Sequence, residues 1–161
     1  MKILLAIDGS THALQGLHWL LRCASEGLRC EFVLLNVQEP ASLYEVVTAH
    51  DAGVIEQVRS AAGADLLRPA EALLEAAGFG FESEVAGGAP EHLIVELAEN
   101  YGCDAIVMGA RGLGSPAAAG LGSVAQAVLA HAPMPVTVLR ADDAAEDAAE
   151  GAAEDGAENG A

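Results

Sequence analysis

The chain has 161 residues, of which 52% are apolar but only 4% aromatic, and 24 acids against seven Lys or Arg give it a formal net charge of −17. A length of this order fits one domain with its own core and no disulfide or metal staples. The surplus of acid argues against duplex nucleic acid and anionic membranes as partners, because phosphate contact needs clustered cations.

Lys2 to Ile7 (KILLAI) is a continuous apolar run of the kind that forms a strand buried on both faces. Asp8-Gly9-Ser10 breaks it, and either Ser10 or Thr11 can cap the helix that follows. Leu14, Leu17, Leu20, Leu21 and Ala24 recur at helical spacing until Gly27. Arg29 to Val37 reads as a second strand, and Gln38 to His50, with Pro40, as a loop. A helical pattern then runs from about Ala52 to Ala77. Gly63 and Pro69 lie inside it, so a kink or break is expected between them. Gly78 is the stop.

Phe79 to Ala86 alternates, as a third and less buried strand should. Gly87-Gly88-Ala89 turns the chain, and Pro90 suits a first helical position. Leu93, Ile94, Leu97 and Ala98 form the apolar face of that helix. Asp104 to Met108 is a fourth strand, Gly109 to Gly122 a Gly/Ala-rich loop, Ser123 to Ala130 a helix and Pro135 to Leu139 a last strand. After Arg140 the composition collapses to Ala, Gly, Asp, Glu and Asn, and a tail without large apolar residues cannot offset its ordering entropy. Residues 1–140 are therefore expected to form the folded domain and 141–161 a disordered, solvating acidic tail.

The alternation of strand and helix predicts an α/β fold, a doubly wound five-stranded parallel sheet with helices on both faces. Right-handed crossovers favour the order 3-2-1-4-5. Ligands of such sheets bind at the carboxyl ends of the strands, where the chain direction reverses. Here that point lies between Asp8-Gly9-Ser10 and the Gly109–Ser123 segment.

That segment directly follows a buried strand and directly precedes a helix. Glycines allow positive φ and close approach of a ligand to the backbone, and several amides with a helix start make a concave anion site. The Ser123 hydroxyl either caps that helix or donates to a phosphate. Two better-known phosphate loops are set aside. A Walker A loop needs Lys before Ser or Thr, and the only lysine is Lys2. A dinucleotide fingerprint should follow the first strand, whereas Gly112-Leu113-Gly114 follows the fourth and has Pro116 just behind it.

The spacing Gly109-x2-Gly112-x9-Gly122-Ser123 resembles the nucleotide-binding pattern of the universal stress protein family at every defined position. Ala6-Ile7-Asp8-Gly9-Ser10 resembles the family's first strand and turn. Gly88-Ala89-Pro90 through Ala98 is similar to its third helix, and Asp104 to Gly109 with Val124 to Val136 to its closing segment. The likeness spans residues 1 to 140. It implies an adenine nucleotide alpha hydrolase-like fold and an ATP-binding regulator of the stress response. The candidate site residues are Ala6, Asp8, Val37, Met108, Gly109, Arg111, Gly112, Gly122, Ser123 and Val124.

The resemblance implies that Asp8 contacts the ribose or adenosine end or helps hold the metal–phosphate group. Val37 gives the adenine a backbone contact, and Met108 and Gly109 lie beside the ribose. Gly112, Gly122, Ser123 and Val124 cradle the phosphates, with Mg2+ or Mn2+ held mainly by those phosphates. Ala6 stands where many ATP-binding members have Pro. Pro116-Ala117-Ala118-Ala119 stand where many carry Lys or Arg, which leaves Arg111 as the only nearby cation. On the residues alone, Asp8 could instead cap the first helix, Met108 and Val37 could be plain core, and the glycines could serve the turn.

The resemblance also implies a homodimer through the last strand, whose PVTVL run is an apolar edge. Slow metal-dependent ATP hydrolysis and a dimeric adaptor that no longer binds nucleotide are the alternatives. A Ser10-His12-Asp8 triad is sterically implausible on so short a stretch. His131 should close the last helix, and the five histidines form no metal-like group. Cys23, Cys30 and Cys103 form no CxxC pair and read as small buried hydrophobes of a reducing compartment. Met1-Lys2 leads straight into a strand with no cleavage site, and no apolar run approaches the ~18 residues of a membrane span. A cytoplasmic location is expected.

Overall fold

The computed structural model describes residues 1–39, 52–112 and 120–140. The tail from 141, most of the Gln38–His50 loop and the middle of the glycine-rich segment fall outside those residues. In chain order the elements are β1 (Lys2–Ala6), α1 (Thr11–Ser25), β2 (Glu31–Gln38), α2 (Ala52–Ala77), β3 (Phe81–Gly87), α3 (Pro90–Asn100), β4 (Ala105–Gly109), α4 (Ser123–His131) and β5 (Val136–Leu139). The strands form one parallel sheet in the order β3-β2-β1-β4-β5. This is the doubly wound order expected from the sequence, with strand ends moved by one or two residues.

The register explains why the central strands read as unbroken apolar runs. Leu4 of β1 pairs with Val33 of β2 and Ile106 of β4, and all three are at 0% exposure. On this face they meet Ile94 and Ala98 of α3 and Ala125 and Val128 of α4. The next row, Leu34, Leu5 and Val107, points to the other face and packs under Leu17 and Leu20 of α1 and Leu67, Ala70 and Leu74 of α2. Each strand residue thus feeds one of two cores, so no polar alternation survives in the middle of the sheet. β3, at the edge, is the less buried strand foreseen, with Glu82 and Ser83 exposed.

The helix from Ala52 to Ala77 is not broken between Gly63 and Pro69. An interior proline costs about 3 kcal/mol, but burying Leu67 and Leu74 on either side of it contributes about 1.5–3 kcal/mol each. Pro69 itself is exposed, and so is Asp65 one turn back, so water can serve the carbonyl that loses its partner. Gly63 is buried for another reason. A Cβ there would run into Val85 of β3 and come within 2.9 Å of Asn36 Oδ1. Gly63 is the point of closest approach of α2 to the sheet, not a breaker. Gly16 does the same for α1, where a Cβ would lie 3.3 Å from Leu5 and Val107.

The cysteines are free, but only Cys103 is buried, and Cys23 and Cys30 are half-buried. Cys23 lies near the end of α1, and Cys30, just before β2, packs at the rim of the first core, where cover is incomplete. Burial pushes the Cys103 and Cys30 thiols up. His131 closes α4, with Nδ1 2.8 Å from the Ala127 carbonyl. No helix among the described residues is long and apolar enough to cross a membrane.

Candidate functional site

β1 keeps its register one residue past its end, where the Ile7 amide donates to the Leu35 carbonyl at 2.8 Å. The Ile7 carbonyl accepts from Asn36 Nδ2 at 2.6 Å, and Asn36 is 1% exposed. Its Oδ1 in turn accepts from Gln38 Nε2 at 2.6 Å. An asparagine inside β2 therefore fixes the point at which the chain leaves β1. Gly9 follows at φ 89°, the left-handed region that a side chain would disfavour.

Asp8 and Ser10 are tied together in this turn. Asp8 Oδ1 accepts from the Ser10 amide at 2.9 Å and from Ser10 Oγ at 2.6 Å. Ser10 Oγ accepts from the Ala13 amide at 3.3 Å and is the N-cap of α1. Ser10, not Asp8 or Thr11, caps the helix, and Asp8 orients the cap.

β4 delivers the other wall. A Cβ on Gly109 would lie 2.9 Å from His12 Cβ and 3.2 Å from the Arg111 carbonyl, so only glycine lets the end of β4 pass the first turn of α1. A Cβ on Gly112 would lie 2.9 Å from Asp8 Oδ2, which places the Asp8 carboxylate beside the backbone of the glycine-rich segment. Ala110 bonds in two directions. Its amide donates to the Leu139 carbonyl at 2.7 Å, and its carbonyl accepts from the Gly122 amide at 2.8 Å. The second bond brings both ends of the glycine-rich segment together beside β5.

Two expectations are corrected here. Gly122, not Ser123, is the N-cap of α4, and among the described residues it makes no side-chain capping bond. Ser123 is the first helical residue and is exposed. The opening amides of α4 have no intrahelical partner, and their cap offers no side chain. Nor do Gly109, Gly112 and Gly122 adopt positive φ; that of Gly122 is −65°. At Gly109 and Gly112 glycine serves close approach. At Gly122 an added Cβ would make ordinary contact, 3.4 Å from the Ala110 carbonyl.

These walls enclose a cleft of about 310 Å³ at the carboxyl ends of β1 and β4. Ala6, Asp8, Val37, Met108, Gly109, Arg111, Gly112, Gly122, Ser123 and Val124 all line it. Sequence reasoning missed Glu39 at the mouth, Leu35, and the Pro90 and Ile94 side of α3. It also missed Asn36, which holds the wall from behind. An Asn within the apolar run FVLLNV was the available signal. Met108 belongs to the second core and also lines the cleft. Arg111 is buried at 8% exposure.

The wall can bind an anion through backbone N–H groups and hold an apolar ring between Val37, Ile94 and Met108. Among the described residues no three His, Cys, Asp or Glu side chains converge as a metal cage. Asp8 and Glu39 are the carboxylates among the cleft's described lining residues.

A family model described as the universal stress protein family matches residues 1–140. A universal stress protein of Thermus aquaticus is 31% identical over 144 residues, covering 86% of this chain and 97% of that one. Among solved structures, the universal stress protein UspA of Lactobacillus plantarum superposes with a TM-score of 0.74 at 24% identity, over 87% of this chain and 97% of that one. A universal stress protein family protein of Arabidopsis thaliana, with AMP bound, superposes at 0.65 with 22% identity, over 89% and 94%.

Proposed function

The chain belongs to the universal stress protein family, and from that premise we propose that it is a nucleotide-linked regulator of a cytoplasmic stress response that binds ATP in the cleft between β1 and β4. The adenine stacks against the apolar wall and meets the Val37 backbone. The ribose lies by Ala6, Asp8, Met108 and Gly109. The phosphates take the amides of Gly112, Gly122, Ser123 and Val124, with Mg2+ or Mn2+ carried in on them.

One observation carries the reading. Ten residues chosen from three distant stretches of sequence line a single cleft. The AMP in the Arabidopsis thaliana relative supports an adenine nucleotide as the ligand. Occupancy is coupled to the edge of the sheet through Ala110, which bonds both Gly122 and Leu139 at the end of β5. That edge is where a homodimer forms, and it is the surface through which occupancy reaches a partner.

Regulation is favoured over hydrolysis. Phosphoryl transfer needs a positioned water and a cation free to follow the developing charge, and the cation on the described wall, Arg111, is buried.

Mass spectrometry of small molecules released from the purified protein, with calorimetric titration of MgATP, tests the reading. An adenine nucleotide in the released fraction and saturable binding are expected. Neither being found would overturn the reading in favour of an adaptor without nucleotide. A sustained metal-dependent turnover would make it an ATPase.

A further inference from the structure

A sheet of order β3-β2-β1-β4-β5 has an edge at β5 and another at β3. The β5 edge is short, four residues with Pro133 and Pro135 just ahead of it. The β3 edge is longer and less guarded. Its seven residues, Phe81–Gly87, pair one to one with Phe32 to Gln38, without a bulge, a Pro or a Lys. Those are the usual devices that blunt an edge strand.

The ladder fixes which groups face outward. The Gly80 carbonyl accepts from the Phe32 amide, and the Gly88 amide donates to the Gln38 carbonyl, so the even-numbered residues of this stretch bond β2. The amides and carbonyls of Phe81, Ser83, Val85 and Gly87 therefore point away from the sheet. Among the described residues no hydrogen bond takes up these four amides. The Phe81 and Val85 side chains pack half-buried against the first core, while Glu84 lies on the other face with Tyr101.

The charge beside this edge selects what can pair with it. Glu82 is answered by Lys2. Glu84 and Glu71 bond the hydroxyls of Tyr101 and Ser83, which donate hydrogen bonds but leave the negative charge in place. On α2, Arg68 pairs with Asp65 and Arg59 donates to the Glu39 carbonyl. A second copy of this chain, edge to edge about Ser83, would set Glu82 against Glu84, and residues 141–161 carry acids but no Lys or Arg. Like charges opposite one another destabilise a strand pair. The acids thus turn away the chain's own copies and tail and leave the edge open to cations.

We propose that the open edge of β3 docks an extended cationic segment of a partner protein, which adds a strand to the sheet with apolar side chains beside Phe81 and Val85 and a Lys or Arg opposite Glu84. In strand addition the main chain supplies affinity and the alternate side chains supply specificity.

NMR titration of the full chain with a synthetic peptide as long as β3, alternating Lys with Val and Thr, tests this. At saturation the Phe81, Ser83, Val85 and Gly87 amides should exchange their hydrogens at least about tenfold more slowly than in the free chain, with a dissociation constant on the order of 0.1 mM. The same peptide with Glu for Lys should bind at least about tenfold more weakly. So should the Lys peptide N-methylated at the residues that bond β3, which keeps its charge and loses the pairing. Glu84→Gln, whose side-chain oxygen still accepts from Tyr101, should weaken the Lys peptide about threefold or more. Unslowed exchange at the four amides would overturn the proposal, as would equal binding of the N-methylated peptide or of the Glu peptide. The proposal does not rest on the nucleotide reading, and the peptide should bind with or without MgATP present.

Discussion

At the amino ends of the strands, Lys2 Nζ lies 2.7 Å from Glu82 Oε1 and the Lys2 amide donates to Asp104 Oδ2 at 2.7 Å, while Tyr101, just after α3, donates its hydroxyl to Glu84 Oε2 in the middle of β3 at 2.8 Å. At the carboxyl ends, Asp8 is served by the amide and hydroxyl of Ser10, and Gly122 and Leu139 meet through the backbone of Ala110. The first end is closed by side chains that satisfy one another, while at the second the cap of α4 has no side chain to serve its opening amides. Charge pairing between side chains leaves nothing for a ligand to replace. A wall of backbone donors is complete only when a ligand supplies the acceptors. The difference predicts that substitutions at the carboxyl end act on binding and those at the amino end on stability alone.

The sharpest way to break this division is Gly112→Val. Its Cβ must displace Asp8 Oδ2 or be displaced. Because Gly112 is exposed, the fold has room to survive. We expect nucleotide affinity to fall by about a hundredfold or more, about 2.7 kcal/mol, with the melting temperature little changed. Unaltered affinity in calorimetry would show that the glycine-rich backbone does not hold the ligand. Gly122→Val, which meets only ordinary contacts within the protein, should cost binding less.

Gly63→Ala comes next and tests the support behind the cleft. A methyl there collides with Val85 and crowds Asn36, the side chain that fixes the Ile7 carbonyl. Overpacking of this kind costs about 1–3 kcal/mol, read from denaturant unfolding. Affinity should fall with it only if Asn36 positions the Ile7–Asp8 turn. Asn36→Leu, which leaves the Ile7 carbonyl and the Gln38 amide without their partner, should reproduce the loss of affinity.

How legible each end was follows from the range of its interactions. The strand order could be read because apolar runs alternate with helical periods, and the crossover rule leaves few ways to arrange them. Ala6, Asp8, Met108 and the glycines could be read as one site because the stretches that hold them resemble the family's pattern in sequence. Gly63 could not, because the side chain it makes room for, Val85, belongs to another element, β3. Asn36 stands out within FVLLNV, but its task could not be read, because its acceptor, Ile7, lies 29 residues back and belongs to a turn whose exit direction the sequence does not encode. Pro69 misled because its cost depends on exposure, which only the packed helix reveals. For the loop glycines the sequence offered both positive φ and close approach, and at Gly109 and Gly112 the structure keeps the second. Spacing shows where glycine is needed but does not separate positive φ from close approach.

A smaller effect is expected at the β5 edge. In a parallel ladder alternate residues bond to opposite sides. Since the Pro135 and Leu139 carbonyls face β4, the Val136 and Val138 amides face the open edge. Their side chains, however, pack against the second core, so a charged substitution would confound assembly with stability. Val138→Pro removes an edge donor instead. It should convert the proposed dimer to monomer in light scattering, at a cost of about 1 kcal/mol in the fold. An unchanged mass would move the interface elsewhere.

The smallest effect belongs to the amino end, and its value lies in what it should leave alone. The hydrogen bond to Glu84 is the main cause that raises the Tyr101 hydroxyl above its ordinary pKa of 10.0. The hydrogen bond to Glu82 likewise raises Lys2 above 10.5. A raised folded value means that the unfolded chain gives up its proton first. Both contributions are therefore whole below about pH 10 and fade as the pH climbs through the folded values. Tyr101→Phe should cost well under about 1 kcal/mol at neutral pH, since the pair is half-exposed, and should remove part of the alkaline loss of stability seen by chemical unfolding. Nucleotide affinity in the same variant should be that of the unaltered chain. If Tyr101→Phe shifted affinity as well, a bond at one end of the sheet would be acting on the cleft at the other, through the buried row of Leu4, Val33 and Ile106 that joins them. The separation of a closed end from an open one would then fail.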